Sequence, residues 1–148
     1  MSFFGDIFAG KAAAEAAEFN SKVLKRNAKI DEQKAEQIMS VHNDYALPRF
    51  DKSVQQIQGK TTVAYMSSGV TYSGSVIEAL YSQKLELETD RDIMTYNAEN
   101  ARDAQLNEAI QKRAEADLER WRGKIAKKAS YYAAGASLLD LGLKMQNA

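Results

Sequence analysis

Apolar residues recur at steps of three and four along most of this 148-residue chain, with charged and amide side chains between them. This spacing places the apolar side chains on one face of an α-helix. The first stretch contains Phe19, Val23, Ile30, Ile38, Val41 and Tyr45, and the next contains Phe50, Val54, Ile57, Thr61 and Ala64. The only proline, Pro48, lies between them, lacks a backbone donor and restricts the residue before it. We therefore expect a first helix over about residues 8–67, with a break near residues 47–48.

A glycine-containing stretch near the middle of the chain, SSGVTYSGSVIE at residues 67–78, predicts the end of this helix and the start of another. Gly69 can adopt the left-handed conformation that ends a helix. Ser75 and Glu78 form the S-x-x-E pattern of a capping box, in which each side chain satisfies a backbone donor at a helix start. A turn is therefore expected over residues 68–74. Its turn and cap residues are Ser68, Gly69, Gly74, Ser75 and Glu78.

A second helix is expected over about residues 75–130, followed by an apolar C-terminal segment at residues 131–148. Its apolar positions include Leu80, Leu87, Met94 and Ala101, which are seven residues apart. Because the turn is short, this helix returns antiparallel to the first. The predicted fold is all-α, a single domain over residues 1–148 that forms a long antiparallel helical hairpin kinked near Pro48. A hairpin buries only one stripe of each helix, so we expect copies of the chain to associate.

The sequence contains little of the chemistry that enzymes use. It has no cysteine, and its single histidine, His42, cannot form the paired-histidine zinc motif or the paired E-x-x-H motifs of iron proteins. Glycine-rich phosphate loops and the G-x-S-x-G nucleophile motif are absent from the sequence. We therefore predict that the protein is not an enzyme, with no catalytic, cofactor-binding or metal-binding residues and no cofactor.

Charge is balanced overall, with 20 basic and 20 acidic residues, but it is uneven along the second helix. Residues 78–92 are mainly acidic, whereas residues 112–128 are mainly basic and include Trp121. A basic helix with a tryptophan can contact DNA phosphates, lipid head groups or an acidic partner, and a solvated face that pairs with another subunit is the simpler interpretation. The candidate residues for contact with DNA or an acidic partner are Arg113, Arg120, Arg122, Lys124, Lys127 and Lys128.

Both ends of the chain are apolar, and an antiparallel hairpin would bring them together. Neither end has the ~20 apolar residues that a membrane-spanning helix needs, so the sequence predicts no conventional membrane anchor. The two ends either pack against each other or insert into lipid after the protein has assembled. The candidate membrane-contact residues are Phe3, Phe4, Ile7, Phe8, Tyr131, Tyr132, Leu138 and Leu139.

Three segments of the chain resemble one known family. They are the turn YMSSGVTYSGSVIEAL, the following YNAENARDAQLNEA, and the alanine- and asparagine-rich helix before the turn. These segments are similar to the smallest internal virion, or ejection, protein of short-tailed phages of the T7 type. The similarity covers most of residues 20–135, and its most specific part is the S-G-V-x-x-x-G-S turn at residues 68–75. The resemblance implies a component of the core stacked on the portal, which leaves the particle at infection and helps form a channel for DNA through the host outer membrane.

The leading hypothesis is a non-enzymatic internal virion protein that forms an oligomeric helical ring and serves genome ejection. The implied partners are further copies of the chain, other virion core, portal or tail proteins, phage DNA in a lumen, and the host outer membrane after ejection. The implied location is the virion, and then the host cell envelope. Two alternatives stay open. One is a capsid-to-tail adaptor or tail-associated structural protein that remains in the particle, and the other is an amphipathic-helix protein that binds membrane surfaces.

Overall fold

The computed structural model describes residues 3–69 and 74–146, and all of them except Ser68 and Gly69 are helical. The elements follow in the order helix α1 (Phe3–Val41), a π-helical segment (His42–Ala46), helix α2 (Leu47–Ser67) and helix α3 (Gly74–Gln146). These two ranges contain no strand, which confirms the all-α prediction. Helix α3 continues well past the predicted end near residue 130, so residues 131–146 of the apolar C-terminal segment are helical.

The hydrogen-bond pattern of the helix changes where the sequence predicts a break. Pro48 lies in the first turn of α2 and has no N–H, so the carbonyl of Asp44 cannot receive the usual bond from four residues later. The N–H of Leu47 donates to the carbonyl of His42, five residues earlier, which is the wider spacing of a π-helix. One wide π-helical turn therefore precedes Pro48, and the chain is α-helical on both sides of this turn.

Helix α2 stops at a capped end. The backbone N–H of Ser68 donates to the carbonyl of Ala64 at 3.1 Å, and the Ser68 hydroxyl donates to the carbonyl of Tyr65 at 2.8 Å. Gly69 follows with a φ of +71°, the left-handed conformation that glycine adopts without a steric penalty. These bonds satisfy carbonyl groups that a helix end would otherwise leave without a donor.

Helix α3 begins at Gly74, one residue before the predicted start at Ser75. Ser75 is the second residue of α3, and both Ser75 and Glu78 are exposed to solvent. Residues 70–73, the middle of the predicted turn, lie outside the described residues.

The fold divides into two compact units, and each unit contains one pair of helical segments. The first, which we call the terminal unit, joins Met1–Glu32 to Asn107–Ala148, and the second, which we call the turn unit, comprises Gln33–Leu106. Within each unit the residue numbers of contacting pairs rise on one segment as they fall on the other. In the terminal unit Asp6 meets Ser137 and Glu32 meets Arg113, while in the turn unit His42 meets Thr95 and Thr61 meets Gln83. Both pairs are therefore antiparallel, which confirms the hairpin-like packing of the helices.

Small side chains form the contact between the two segments of the terminal unit. On α3 the buried positions are seven residues apart, at Ala109, Ala116, Gly123 and Ser130, and they face buried small residues of α1 such as Ala17, Ser21 and Ala28. A Cβ atom added to Gly123 would lie 2.7 Å from the Cβ of Ala17, so the backbones approach closely. Each buried alanine removes about one methyl group from water, which contributes only about 0.8 kcal/mol. Stability must therefore come from the length of this small-residue seam.

The large apolar side chains predicted to mark the helix faces lie mostly outside the small-residue seam. Phe19 is 67% exposed, and Val23, Ile30, Val41 and Tyr45 are also exposed. The buried hydrophobic residues among the described ones are alanines and Val76. The helix pair of the terminal unit thus uses its small residues for mutual contact, whereas in the turn unit Val76 is buried and Leu80 and Leu87 are half-buried.

Candidate interaction surfaces

His42 is held inside the turn unit by a polar contact. It is buried, and its Nε2 lies 3.2 Å from the hydroxyl oxygen of Thr95. The Thr95 hydroxyl donates to the carbonyl of Arg91 at 3.0 Å, so its oxygen is available as an acceptor and Nε2–H of the histidine ring is the donor. Among the described residues there is no group of three or more His, Cys, Asp or Glu side chains able to hold a metal ion.

Buried Asp31 and half-buried Lys112 form an ion pair across the small-residue seam. Asp31 is 2% exposed and is the largest fully buried side chain of the described chain, and Lys112 Nζ donates to its carboxylate. This hydrogen bond raises the pKa of Lys112 above its ordinary value of 10.5, because the ammonium proton is held by the carboxylate. A buried carboxylate needs such a partner, since transfer of an unpaired charge out of water is costly.

Two further ion pairs lie on the surface of the terminal unit. Lys25 of α1 contacts Asp117 of α3 at 2.9 Å, and the hydrogen bond lowers the pKa of Asp117 below its ordinary value of 3.8. Lys22 contacts Glu18 one helical turn away at 3.0 Å, and this hydrogen bond lowers the pKa of Glu18 below 4.5. Both pairs are solvent-exposed, so each contributes little to stability at ordinary ionic strength.

The candidate basic residues of α3 divide into two groups. Arg113 and Arg122 are paired within the chain, to Glu32 at 2.6 Å and to Glu119 at 2.8 Å. The remaining four are exposed and form no ion pair with any described residue: Arg120, Lys124, Lys127 and Lys128. Their spacing puts these four on one side of α3, and Arg120, Lys124 and Lys127 line a shallow groove of about 220 Å³ together with Glu18. None of the four cations of this basic face is held in an ion pair within the described residues, and the charge of Arg120 helps to lower the pKa values of Glu18 and Asp117.

The two apolar ends of the chain come together in the terminal unit. The hydroxyl of Ser137 lies 3.5 Å from a carboxylate oxygen of Asp6, and Gly10 lies against Ser130. Phe4 and Phe8 are each 69% exposed, whereas Ile7 is half-buried. The side chain of Phe3 lies outside the described part of the structure. On α3 the exposed candidate residues are Tyr131, Tyr132, Leu138 and Leu139.

Over residues 3–69 and 74–146, no helix contains a stretch that is both long and apolar enough to cross a bilayer.

An open apolar groove lies between α1 and α3 elsewhere in the terminal unit. Val23, Leu24 and Leu118 line its floor, and its volume is about 560 Å³. Its polar rim consists of Asn20, Glu115, Glu119 and Arg122. Grooves of this composition between paired helices suit an apolar side chain from another helix more closely than a small polar ligand.

Several residues that organise these surfaces were not singled out from the sequence. They are Asp31 and Lys112, which form the ion pair across the seam, and Gly10 and Gly123, which permit the close helix contact. The seven-residue recurrence of small side chains at Ala109, Ala116, Gly123 and Ser130 is the pattern that points to Gly123. Nothing in the local sequence distinguishes Asp31 from the exposed acidic residues around it.

Comparison of the chain with protein-family models, curated proteins and solved structures gives no match.

Proposed function

We propose that this chain is a non-enzymatic internal virion protein of a short-tailed phage, which associates with itself and serves delivery of the genome through the host envelope. The observation that carries the proposal is the exposure of the large apolar side chains around a narrow seam of small residues. The resemblance of the turn and the flanking helices to the phage ejection family supports the same assignment.

The exposed apolar residues explain why self-association belongs to this proposal. Phe19, Tyr45 and Trp121 are among 24 large apolar residues that are exposed in the described chain. Large apolar patches on the surface of a soluble protein mark interaction sites. Further helices packed on these faces would bury residues such as Phe19 at roughly 1.5–3 kcal/mol each. Copies of the same chain supply such helices, and a closed set of copies forms the proposed helical ring at the portal.

The terminal unit supports the proposed step at the host membrane. Phe4 and Phe8 on α1 and Tyr132 and Leu139 on α3 are exposed apolar side chains at the joined ends of the chain. Amphipathic helical ends can lie in a bilayer interface without a spanning segment. An assembly of many copies can combine such ends into a channel wall in which every backbone group is satisfied within a helix. The basic face at Arg120 to Lys128 is the surface proposed to meet phage DNA or an acidic virion partner.

The location of the chain during infection tests this proposal against its alternatives. Antibodies against the chain are applied to purified particles and to the envelope fraction of infected cells. Presence in particles followed by transfer to the envelope fraction is the expected result. Retention in the emptied particles would favour a capsid-to-tail adaptor. Absence from particles would refute the virion assignment and favour a protein that binds membrane surfaces.

The membrane step has its own test in vesicles that contain anionic lipid. The double variant Phe4→Ser, Phe8→Ser is compared with Phe19→Ser, because these phenylalanines are similarly exposed but Phe19 lies away from the ends. Flotation with vesicles and release of an entrapped dye should both decrease for the double variant, while Phe19→Ser should still float with the vesicles. Equal binding of the parent and the double variant would remove the N-terminal insertion step.

A further inference from the structure

Helix α2 contains a glycine that the packing of the turn unit does not explain. Gly59 lies inside the helix, where glycine is less favourable than alanine. Its φ is not positive, since Gly69 is the glycine with that conformation in the described chain. A Cβ atom added to Gly59 would meet nothing within 4 Å, in contrast to Gly10 and Gly123 in the small-residue seam. The close contact that would favour glycine at this position is therefore not made with the described residues of the chain.

A shallow, open depression lies on α2 where Gly59 lacks a side chain. Its volume is about 630 Å³, and its lining includes Gln56, Gly59, Lys60 and Val63. These four residues have the spacing i, i+3, i+4 and i+7, which is the spacing of a hole that receives a side chain from a neighbouring helix. Val63 is 64% exposed at the edge of this hole. We call this surface the Gly59 hole.

Helix α3 of the same unit presents an exposed apolar face of suitable size. Tyr81, Leu85 and Tyr96 are exposed, and their separations of four and eleven residues are close to whole numbers of helical turns. They therefore lie on one side of α3. Exposed acidic residues share this side, including Glu78 and Asp92. We call this surface the acidic α3 face.

The charges of the two surfaces are opposite. Helix α2 carries three exposed basic residues, Arg49, Lys52 and Lys60, and none of them forms an ion pair with any described residue. Its only acidic residue, Asp51, is bound by Arg91 at 3.0 Å. The acidic α3 face shows the reverse arrangement, because Glu78 and Asp92 also form no ion pair with described residues. Two copies of the same surface would therefore repel each other, whereas the Gly59 hole of one copy and the acidic α3 face of another would attract each other.

We infer that the turn unit binds a second copy of this chain head to tail, with the Gly59 hole of one copy receiving Tyr81 or Leu85 from the acidic α3 face of the next. Such a contact is heterologous, because the two participating surfaces differ. A dimer joined by one such contact has an unoccupied hole at one end and an unoccupied acidic α3 face at the other, so copies continue to add until a ring closes or a filament forms. This inference deepens the proposed function, because it names the two surfaces through which copies of the chain associate. It rests on the proposed function in one respect, namely that several copies assemble.

Filling the hole tests the contact. Gly59→Leu places a side chain in open space, so circular dichroism should show the helical content of the parent or more. Sedimentation of the full chain should show association weakened by about tenfold or more. The matched control is Gly135→Leu, another helical glycine whose Cβ would meet nothing within 4 Å, and it should associate like the parent. A parent that is monomeric, or a Gly59→Leu variant that associates like the parent, overturns the inference.

A mixing experiment distinguishes a head-to-tail contact from a symmetric one. The variant Tyr81→Lys, Leu85→Lys disables the acidic α3 face and keeps the Gly59 hole, whereas Gly59→Leu disables the hole and keeps the face. Each variant alone should associate about tenfold more weakly than the parent, or more weakly still. An equimolar mixture should form one-to-one dimers and nothing larger, because each dimer contains one intact contact and two disabled surfaces. A mixture that stays monomeric, or that assembles like the parent, overturns the inference.

The results separate this inference from the proposed function. A parent that assembles in virions while Gly59→Leu has no effect leaves the proposed function intact and removes the head-to-tail contact. One-to-one dimers from the mixture, together with absence of the chain from virions, would support the head-to-tail contact and refute the virion assignment.

Discussion

Gly123→Ala probes the closeness of α1 and α3 in the terminal unit. The added Cβ would lie 2.7 Å from the Cβ of Ala17 and 3.4 Å from backbone atoms of Ala14. Carbon atoms in favourable contact are about 3.5–4.0 Å apart, so the helices would have to separate by about 1 Å. Overpacking of this kind lowers the unfolding free energy by about 1–3 kcal/mol. Alanine in place of glycine within a helix raises it by about 1 kcal/mol. The expected net change is a loss of about 0–2 kcal/mol of unfolding free energy.

Gly135→Ala is the matched control for this prediction. Gly135 is also in α3, but its added Cβ would meet nothing within 4 Å, so the variant should gain about 0.4–1 kcal/mol. The difference between the two variants isolates the cost of the close contact, about 1–3 kcal/mol. Urea unfolding followed by circular dichroism measures it, at one fixed protein concentration because association shifts apparent stability.

A second substitution tests whether contact with the Ala17 methyl group causes the loss of stability in Gly123→Ala. Adding Ala17→Gly to Gly123→Ala removes the nearest neighbour of the new methyl group and should recover part of the stability. Equal stabilisation by Gly123→Ala and Gly135→Ala would refute the close approach of the two helices and with it the small-residue seam.

The remaining predictions concern the turn and the surface charges. Gly69→Val should lower the unfolding free energy by roughly 1–2 kcal/mol, because a β-branched residue is forced to the φ of +71°, and an unchanged melting temperature would contradict this reading of the turn. Stability should also fall in acid. The pKa values of Glu18 and Asp117 are lowered in the folded state, so their contribution is complete above the ordinary values of 4.5 and 3.8 and is lost as the pH falls through the lowered values. Lys25→Met removes the partner of Asp117, so the unfolding free energy of this variant should fall less steeply with decreasing pH. Urea unfolding between neutral and acidic pH measures this dependence. The same dependence in the variant and the parent would count against the ion pair.

The helical period, the end of α2 and the pairing of the chain ends follow from local features of the sequence. Steps of three and four residues specify helices because side chains at this spacing share one face. Gly69 marks the end of α2 because only glycine enters the left-handed region without a steric penalty. A short connection then makes the return antiparallel, which brings Asp6 and Ser137 together.

The π-helical turn and the ion pairs depended on the three-dimensional structure. Pro48 predicts a disturbance of the helix, but a wide turn with a bond from Leu47 to His42 is one of several ways to accommodate a missing donor. Asp31 resembles its acidic neighbours in sequence, but the fold buries it and brings Lys112 to it across the small-residue seam. A contact between residues so far apart in sequence cannot be read from either local pattern.

The choice of the inner face was also decided by tertiary structure. A hydrophobic pattern predicts that Phe19, Val23 and Ile30 share a side of α1, and it does not say whether that side meets α3 or another molecule. In the terminal unit Ala17, Ala28 and Gly123 occupy the contact, because two helices with small residues at facing positions approach closely along their whole seam. Bulky side chains at those positions would hold the backbones apart. The stripe of large apolar residues on α1 is consequently exposed. Surfaces proposed to bind further copies are therefore available because the small residues form the contact within the chain.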